Sequence, residues 1–237
     1  MILVDLHAHS GGISTCCRVG YERIIDDAKE TGIGGIVLTN HYVSNYVIDD
    51  DYDAFARAYL EEYAKAKAYG DSVGVKVFFG VEVTAEWDKN VHLLAYGVPH
   101  SFVTDHPRMC LYSLEELYRT VHAYGGILVQ AHPYRVQPRL QDLAYLDGVE
   151  ISCHPHLRYC GSFASEMKEI AEANRKLLTC GGDYHADVAY RPQCGVFVPK
   201  EISGDKELAD WLMAQDRLTL RVHEPGGDWQ DLVYQKT

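Results

Sequence analysis

Short apolar runs that end on histidine, aspartate or glutamate recur along this chain. The first, Ile2-Leu3-Val4, leads into Asp5-Leu6-His7-Ala8-His9-Ser10. It reads as a buried strand. Strand side chains alternate, so His7 and His9 point one way and Ala8 the other. Two imidazoles on one face are a natural chelate for a divalent metal. The pattern returns in Gly35-Ile36-Val37-Leu38-Thr39, which ends in Asn40-His41, and in residues 75–83, with Glu82 near the end. It returns again in Ile127-Leu128-Val129-Gln130-Ala131, which ends in His132-Pro133. Last, Leu177-Leu178-Thr179-Cys180 passes through Gly181-Gly182 to Asp183-Tyr184-His185.

Helical spacing fills the gaps. Ile24, Ile25 and Ala28 mark a helix over residues 21–31, with Gly32 as its stop. Residues 51–69 place Phe55, Ala58, Tyr59, Tyr63 and Ala66 on one face, with Gly70 as the stop. Ser113 with Glu116 is a capping box for a helix that runs to Gly125-Gly126. Further helices are predicted over 162–176 and 205–215, and further strands over 91–96, 148–151 and 218–222. Strands alternating with helices imply βαβ units and a mainly parallel sheet. In such folds the C-terminal strand ends gather at one mouth, where loops build the site. His92 lies at a strand start, so an antiparallel excursion after Glu82 is needed to return it to that mouth. His106, His122 and His223 fall outside the pattern and read as surface or core residues.

A chain of 237 residues is a suitable length for one barrel domain, taken here as residues 1–237. Hydrophobic residues at 47% and charged residues at 24% are those of an ordinary soluble globular protein. No apolar run spans a bilayer, and no signal-peptide pattern opens the chain. The seven cysteines are odd in number and form no C-x-x-C pair, which suits reduced thiols in a cytoplasm. A formal net charge of −12 argues against general nucleic-acid or membrane-surface binding. It leaves a phosphorylated substrate open, because bound cations reverse the field inside a pocket.

Six motifs in order, Asp5-Leu6-His7-Ala8-His9-Ser10, Leu38-Thr39-Asn40-His41, Gly80-Val81-Glu82, His92-Leu93-Leu94-Ala95-Tyr96, Ala131-His132-Pro133 and Gly182-Asp183-Tyr184-His185, resemble those of the polymerase-and-histidinol-phosphatase (PHP) superfamily of metal-dependent phosphoesterases. The resemblance implies a distorted (β/α)7 barrel with two to three divalent ions at its C-terminal mouth. It implies His7, His9, Glu82 and Asp183 on one ion, and Glu82, His92 and His132 on a second. His41 and His185 hold a third, with one ligand from the first loop. That loop position falls on Cys16, with Cys17 as the neighbouring alternative, and a thiolate is a good zinc ligand. The family's usual Asp before the second-motif histidine is Asn40 here, which keeps a hydrogen bond and loses a charge.

Imidazole and carboxylate ligands suit zinc, manganese or iron rather than magnesium or calcium. A carboxylate bridge brings two metals to about 3.5–4 Å, so that one hydroxide spans them and attacks phosphorus. Glu82, Asp183 and His185 would then shape the reacting centre. Arg18, Arg135, Arg158 and Arg191 lie in loops near the metal motifs and are candidates for a phosphate grip, with Arg135 and Arg191 preferred. His154 and His156 flank Pro155 at a strand exit and are candidates for a substrate contact or general acid. The reading is a cytoplasmic hydrolase of a small phosphate ester. The alternatives are an amide or lactone hydrolase at the same centre, and a non-catalytic metal module. Substrate identity and oligomeric state are not legible.

Overall fold

The structure is a computed structural model that describes residues 1–135, 138–154, 164–186, 191–223 and 228–236. Strand β1 (Ile2–Ala8) pairs in parallel with β2 (Gly35–Leu38), and helix α1 (Tyr21–Glu30) joins them. The two-residue strand β3 (His41–Tyr42) and helix α2 (Tyr52–Val73) lead to β4 (Lys76–Thr84), which is parallel to both β2 and β3. The chain then doubles back. β5 (His92–Tyr96) runs antiparallel to β4, and β6 (Ile127–Gln130) runs antiparallel to β5. Helices α3 (Ser101–Asp105) and α4 (Leu114–Ala123) lie between those two strands in sequence. Parallel pairing resumes with β7 (Gly148–Ser152) and β8 (Leu177–Gly181), with α5 (Ala164–Ala173) between them.

Three strands extend the sheet on the other side of β1. They are β9 (Gly195–Val198), β10 (Arg217–His223) and β11 (Trp229–Gln235), all antiparallel, with α6 (Asp205–Ala214) between β9 and β10. The path is β11-β10-β9-β1-β2-β4-β5-β6-β7-β8, with β3 on β4. The segment after β8 returns to β1 through a parallel bridge between Ala8 and Tyr184. The His9 amide donates to the Tyr184 carbonyl at 3.1 Å, and the Tyr184 amide donates to His7 at 3.4 Å. The sheet is therefore barrel-like and nearly closed.

Regular βα alternation is not what forms. No helix separates β4 from β5, because residues 85–91 fold into a tight return: the Ala85 amide donates to Val91 at 3.0 Å and the Val91 amide to Asp88 at 2.8 Å. That return is the antiparallel excursion that His92 required. Helix α2 also differs from its reading. Asp51 caps it by accepting from the Ala54 amide at 2.9 Å, and it runs through Gly70 to Gly74. Gly70 is packed against Val77 of β4, so its small size serves contact rather than termination. Gly74 has a φ of 82°, and its amide reaches the Gly70 carbonyl, a left-handed helix stop. The buried stripe is Tyr52, Ala56, Tyr59, Tyr63, Ala66 and Gly70; Ala58 is exposed. Sequence reasoning did not mark β3, β9 or β11; β3 is two residues long and β11 is mostly polar, but β9 is the apolar run Gly195-Val196-Phe197-Val198.

Apolar residues pack in two clusters. One lies against α1, α2 and α4 and includes Ile24, Tyr59, Phe79 and Val121. The other joins Val4, Leu6, Leu94 and Val129 to Met167 of α5 and Leu212 of α6. Full burial of such a side chain contributes about 1.5–3 kcal/mol. Tyr59 also donates to the carbonyls of Asn40 at 2.8 Å and Gly80 at 2.9 Å, tying α2 to the strand ends that carry the site.

Two glycines separate backbone strain from steric exclusion. At Gly74 a Cβ would meet nothing within 4 Å, whereas at Gly195, with φ of 141°, it would stand 2.1 Å from the Val4 carbonyl oxygen. Gly74→Ala should cost about 1–2 kcal/mol of left-handed strain, or roughly 2–8 °C in Tm. Gly195→Ala should lower Tm by more, because it also breaks the β1–β9 pairing. Equal Tm losses in calorimetry would contradict this account.

Candidate metal centre

Each strand end delivers one or two polar side chains to the same point. β1 supplies His7 and His9, whose Nε2 atoms stand 3.1 Å apart. β3 begins at His41, directly paired with Glu82 of β4. His92 opens β5, His132 follows β6, and Asp183 and His185 follow β8. Glu82 is the focus. Its Oε1 lies 3.2 Å from His7 Nε2, 2.9 Å from His92 Nδ1 and 3.2 Å from His132 Nε2. Its Oε2 lies 2.5 Å from His41 Nδ1 and 3.4 Å from His9 Nε2. Asp183 forms a second focus, with Oδ1 at 3.2 Å from His9 Nε2 and 3.5 Å from both His7 Nε2 and His185 Nδ1.

Both carboxylates are buried, Glu82 at 0% and Asp183 at 1% exposure. Burial alone would raise their pKa values. The imidazoles outweigh it: His41, His92 and His7 around Glu82, and His7, His9 and His185 around Asp183, hold both carboxyls well below the usual range. The histidines split in turn. Burial would lower His7, but Glu150, Glu82 and Asp183 hold it well above its ordinary value. Burial together with His185 and His41 pushes His9 well below.

The donor set fits a divalent cation. Neither oxygen of Asp183 has an aligned hydrogen bond, nor do Glu82 Oε2, His41 Nδ1 and His132 Nδ1. Leaving a buried polar atom unpaired costs about 1–3 kcal/mol. Ligand atoms of His7, His9 and Asp183, of His7, Glu82 and His132, of His41, Glu82 and His92, and of His9, His41 and His185 each fall within 4.8 Å of one another. A cation among them would satisfy these atoms together.

Outer partners fix which ring nitrogen faces inward. His7 Nδ1 meets both oxygens of Glu150 at 2.9 and 3.1 Å. His9 Nδ1 meets Ser14 Oγ at 3.0 Å. His185 Nδ1 meets the Asp183 carbonyl at 2.7 Å. These three rings therefore present Nε2. His92 is reversed: its Nε2 meets the Lys89 carbonyl at 3.3 Å and its Nδ1 faces Glu82. Ser14 Oγ also accepts from the His41 amide at 2.9 Å and donates to Asn40 Oδ1 at 3.0 Å. Asn40 accepts from the Ser10 amide at 2.7 Å, and Ser10 Oγ donates to buried Glu62 of α2 at 2.7 Å. Asn40 thus organises the first loop. Sequence reasoning assigned no role to Glu150, Ser14 or Glu62. Glu150 carried the signal of a strand carboxylate; Ser14 and Glu62 carried none.

Other predicted residues have distinct placements. The Cys16 thiol stands by His185 and His41; desolvation would raise its pKa, but these imidazoles bring it down to about 5. Cys17 is buried and donates to the His9 and Val19 carbonyls, and burial pushes it up to about 11. The His154 ring lies 5.9 Å from that of His185. Arg135 is half-buried one turn beyond His132, and Arg18 is exposed. Arg191 pairs with Asp27 at 3.2 Å and with Glu30, both on α1. His156 and Arg158 lie outside the described residues. His106 meets the Tyr112 hydroxyl, His122 pairs with Asp147, and His223 meets the Trp229 ring edge-on, all apart from the cluster.

No known protein-family profile matches the chain, and no curated protein matches it by sequence. Solved structures do. A candidate metal-dependent phosphoesterase from Bifidobacterium adolescentis aligns with a TM-score of 0.54 at 17% identity, over 87% of this chain and 94% of that one. PsfC from Pseudomonas syringae aligns at 0.63 and 16%, over 88% and 87%. An amidohydrolase from Chromobacterium violaceum aligns at 0.57 and 15%, over 88% and 96%. At these identities the likeness is one of fold. Among the described residues no helix is long and apolar enough to cross a membrane.

The Glu150 contact generates a prediction. Glu150 also accepts from the His132 amide at 3.1 Å, so it orients two candidate ligands. Glu150→Gln should weaken divalent-metal affinity about 10–100-fold while the fold survives. A competition titration showing unchanged affinity would remove Glu150 from this role.

Proposed function

We propose that this chain is a single-domain PHP-type hydrolase that cleaves a small phosphate ester with two to three zinc, manganese or iron ions. The observation that carries the reading is the Glu82 carboxylate, buried and met by five imidazoles within 3.4 Å. His7, His9, Glu82 and Asp183 would hold one ion, Glu82, His92 and His132 a second, and His41, His185 and Cys16 a third. The ions, when bound, supply positive charge for phosphoryl oxygens and lower the pKa of a coordinated water to about 7.

The chain's own residues do the rest. Glu150, Ser14 and the carbonyls of Lys89 and Asp183 keep the inward nitrogens aimed, so little reorganisation accompanies substrate entry. His154, whose ring lies 5.9 Å from that of His185, would protonate the leaving alcohol. Arg135 follows His132 at the mouth and would grip a phosphate oxygen. Arg191 can join it only by exchanging Asp27 and Glu30 for substrate, which makes Arg135 the stronger candidate. Arg18 sits on the exposed loop beside Cys16 and would meet the outer part of the substrate. A second reading, amide or lactone hydrolysis at the same centre, is favoured by the amidohydrolase among the fold neighbours. It predicts turnover of carbonyl substrates and none of phosphate mono- or diesters.

Metal analysis should find two to three equivalents per chain, and chelation should abolish phosphoesterase turnover until manganese or zinc is restored. Glu82→Gln should lower metal content and abolish turnover with the fold intact; full activity without metal would refute the centre. Arg135→Ala should reduce kcat/KM about ten- to a hundredfold, the worth of one charge-assisted contact of about 1.5–3 kcal/mol. Metal content should stay unchanged, and an unaltered kcat/KM would place the phosphate grip elsewhere.

A further inference from the structure

Three cysteines remote from one another in sequence meet in the core. Cys153 directly follows β7, Cys180 lies in β8, and Cys194 directly precedes β9. Their sulfurs all lie within 4.8 Å of one another, and those of Cys153 and Cys180 are 3.7 Å apart. Each residue is 0% exposed. They belong to the apolar cluster that contains Val4, Val196 and Leu220. Cys180 Sγ also reaches the Arg221 carbonyl at 3.4 Å. Cysteines that serve only as small apolar residues have no reason to converge. Cys17 and Cys110 are buried as well.

We propose that Cys153, Cys180 and Cys194 form a second metal site, selective for a thiophilic d10 ion such as Zn(II), Cd(II) or Cu(I), separate from the imidazole–carboxylate centre. The spacing supports it. With metal–sulfur bonds of about 2.3 Å, sulfurs that share one ion stand about 3.8–4.0 Å apart. The donor set supports it too, because an all-sulfur group selects soft ions over those that prefer oxygen or imidazole. The three sulfurs bind as thiolates, and their protons leave to solvent. A divalent ion offsets two of the three negative charges and leaves one on the cluster. Burial by itself would raise the Cys180 thiol, yet contact with Cys153 and Cys194 brings it down to about 6, so one thiolate is readily formed. The site would tie β7 and β8 to β9 and so join the barrel-like part of the sheet to its antiparallel extension. It would also lie beside Asp5 and Glu150, whose charges act on Cys180, that of Asp5 on Cys194 as well.

The probe is Cd(II), read by sulfur-to-cadmium charge-transfer absorption, which imidazole and carboxylate ligands do not give. The background is Cys16→Ser, which removes the thiol at the mouth. Excess Cd(II) is added to the folded protein and, separately, during refolding, so that slow entry into the core is not mistaken for absence of a site. A band that saturates at one sulfur-bound equivalent, persists in Glu82→Gln and is lost in Cys180→Ser or Cys194→Ser is the expected result. Persistence in Glu82→Gln separates this site from the proposed catalytic centre, whose failure would leave the band intact. Absence of the band under both conditions would overturn the proposal and return the trio to core packing. So would a band undiminished in Cys180→Ser and Cys194→Ser. Absence of the band in the Cys16→Ser background overturns the proposal even if the core variants fail to fold.

Discussion

A carboxylate with no access to water is tolerated only where positive or hydrogen-bonding groups surround it, and Glu82 is the point on which this structure turns. Its five imidazole neighbours come from strands β1, β3 and β5 and from the residues that follow β1 and β6. Taking a carboxylate out of water without partners costs several kcal/mol. Every strand that brings a histidine to Glu82 is therefore held to one register, since a one-residue slip would turn its imidazole to the other face. The pairing of His41 with Glu82 and of Thr84 with His92 shows how directly the sheet sets these positions.

Backbone strain gathers at the same place. His132 and Asp183 are non-glycine residues with φ of 27° and 47°. Such conformations cost about 1–3 kcal/mol each and persist where the surroundings over-determine them. Here the His132 amide is fixed by Glu150, and the Gly182 amide before Asp183 by Asp5 at 2.8 Å. Both anchors are carboxylates of neighbouring strands. The turns that aim the site are thus set by side chains outside it.

Much of this was legible from the strand-end pattern, because a residue's position on a strand is local information. His7, His9, His41, Glu82, His132, Asp183 and His185 were all picked out that way, and His92 was placed by requiring a reversal of direction. What escaped was information held in pairings across the fold. Nothing near Ser14 indicates that its hydroxyl serves two histidines and Asn40. Nothing near Arg191 announces Asp27 and Glu30. Gly70 looks like a helix stop until β4 is seen against it, and β9 and β11 extend the sheet through partners that a linear reading cannot supply.

The seam between β1 and the segment after β8 has a further consequence. Among the described residues a bridge between Ala8 and Tyr184, its two amide bonds and the Gly182 amide on Asp5 hold it. His7 and His9 lie on one bank and Asp183 and His185 on the other. Whatever spans those side chains also fastens the two banks, so the last closure of the barrel and the filling of its mouth are one thermodynamic event. An ion held among those side chains would tie the two banks together from within the mouth.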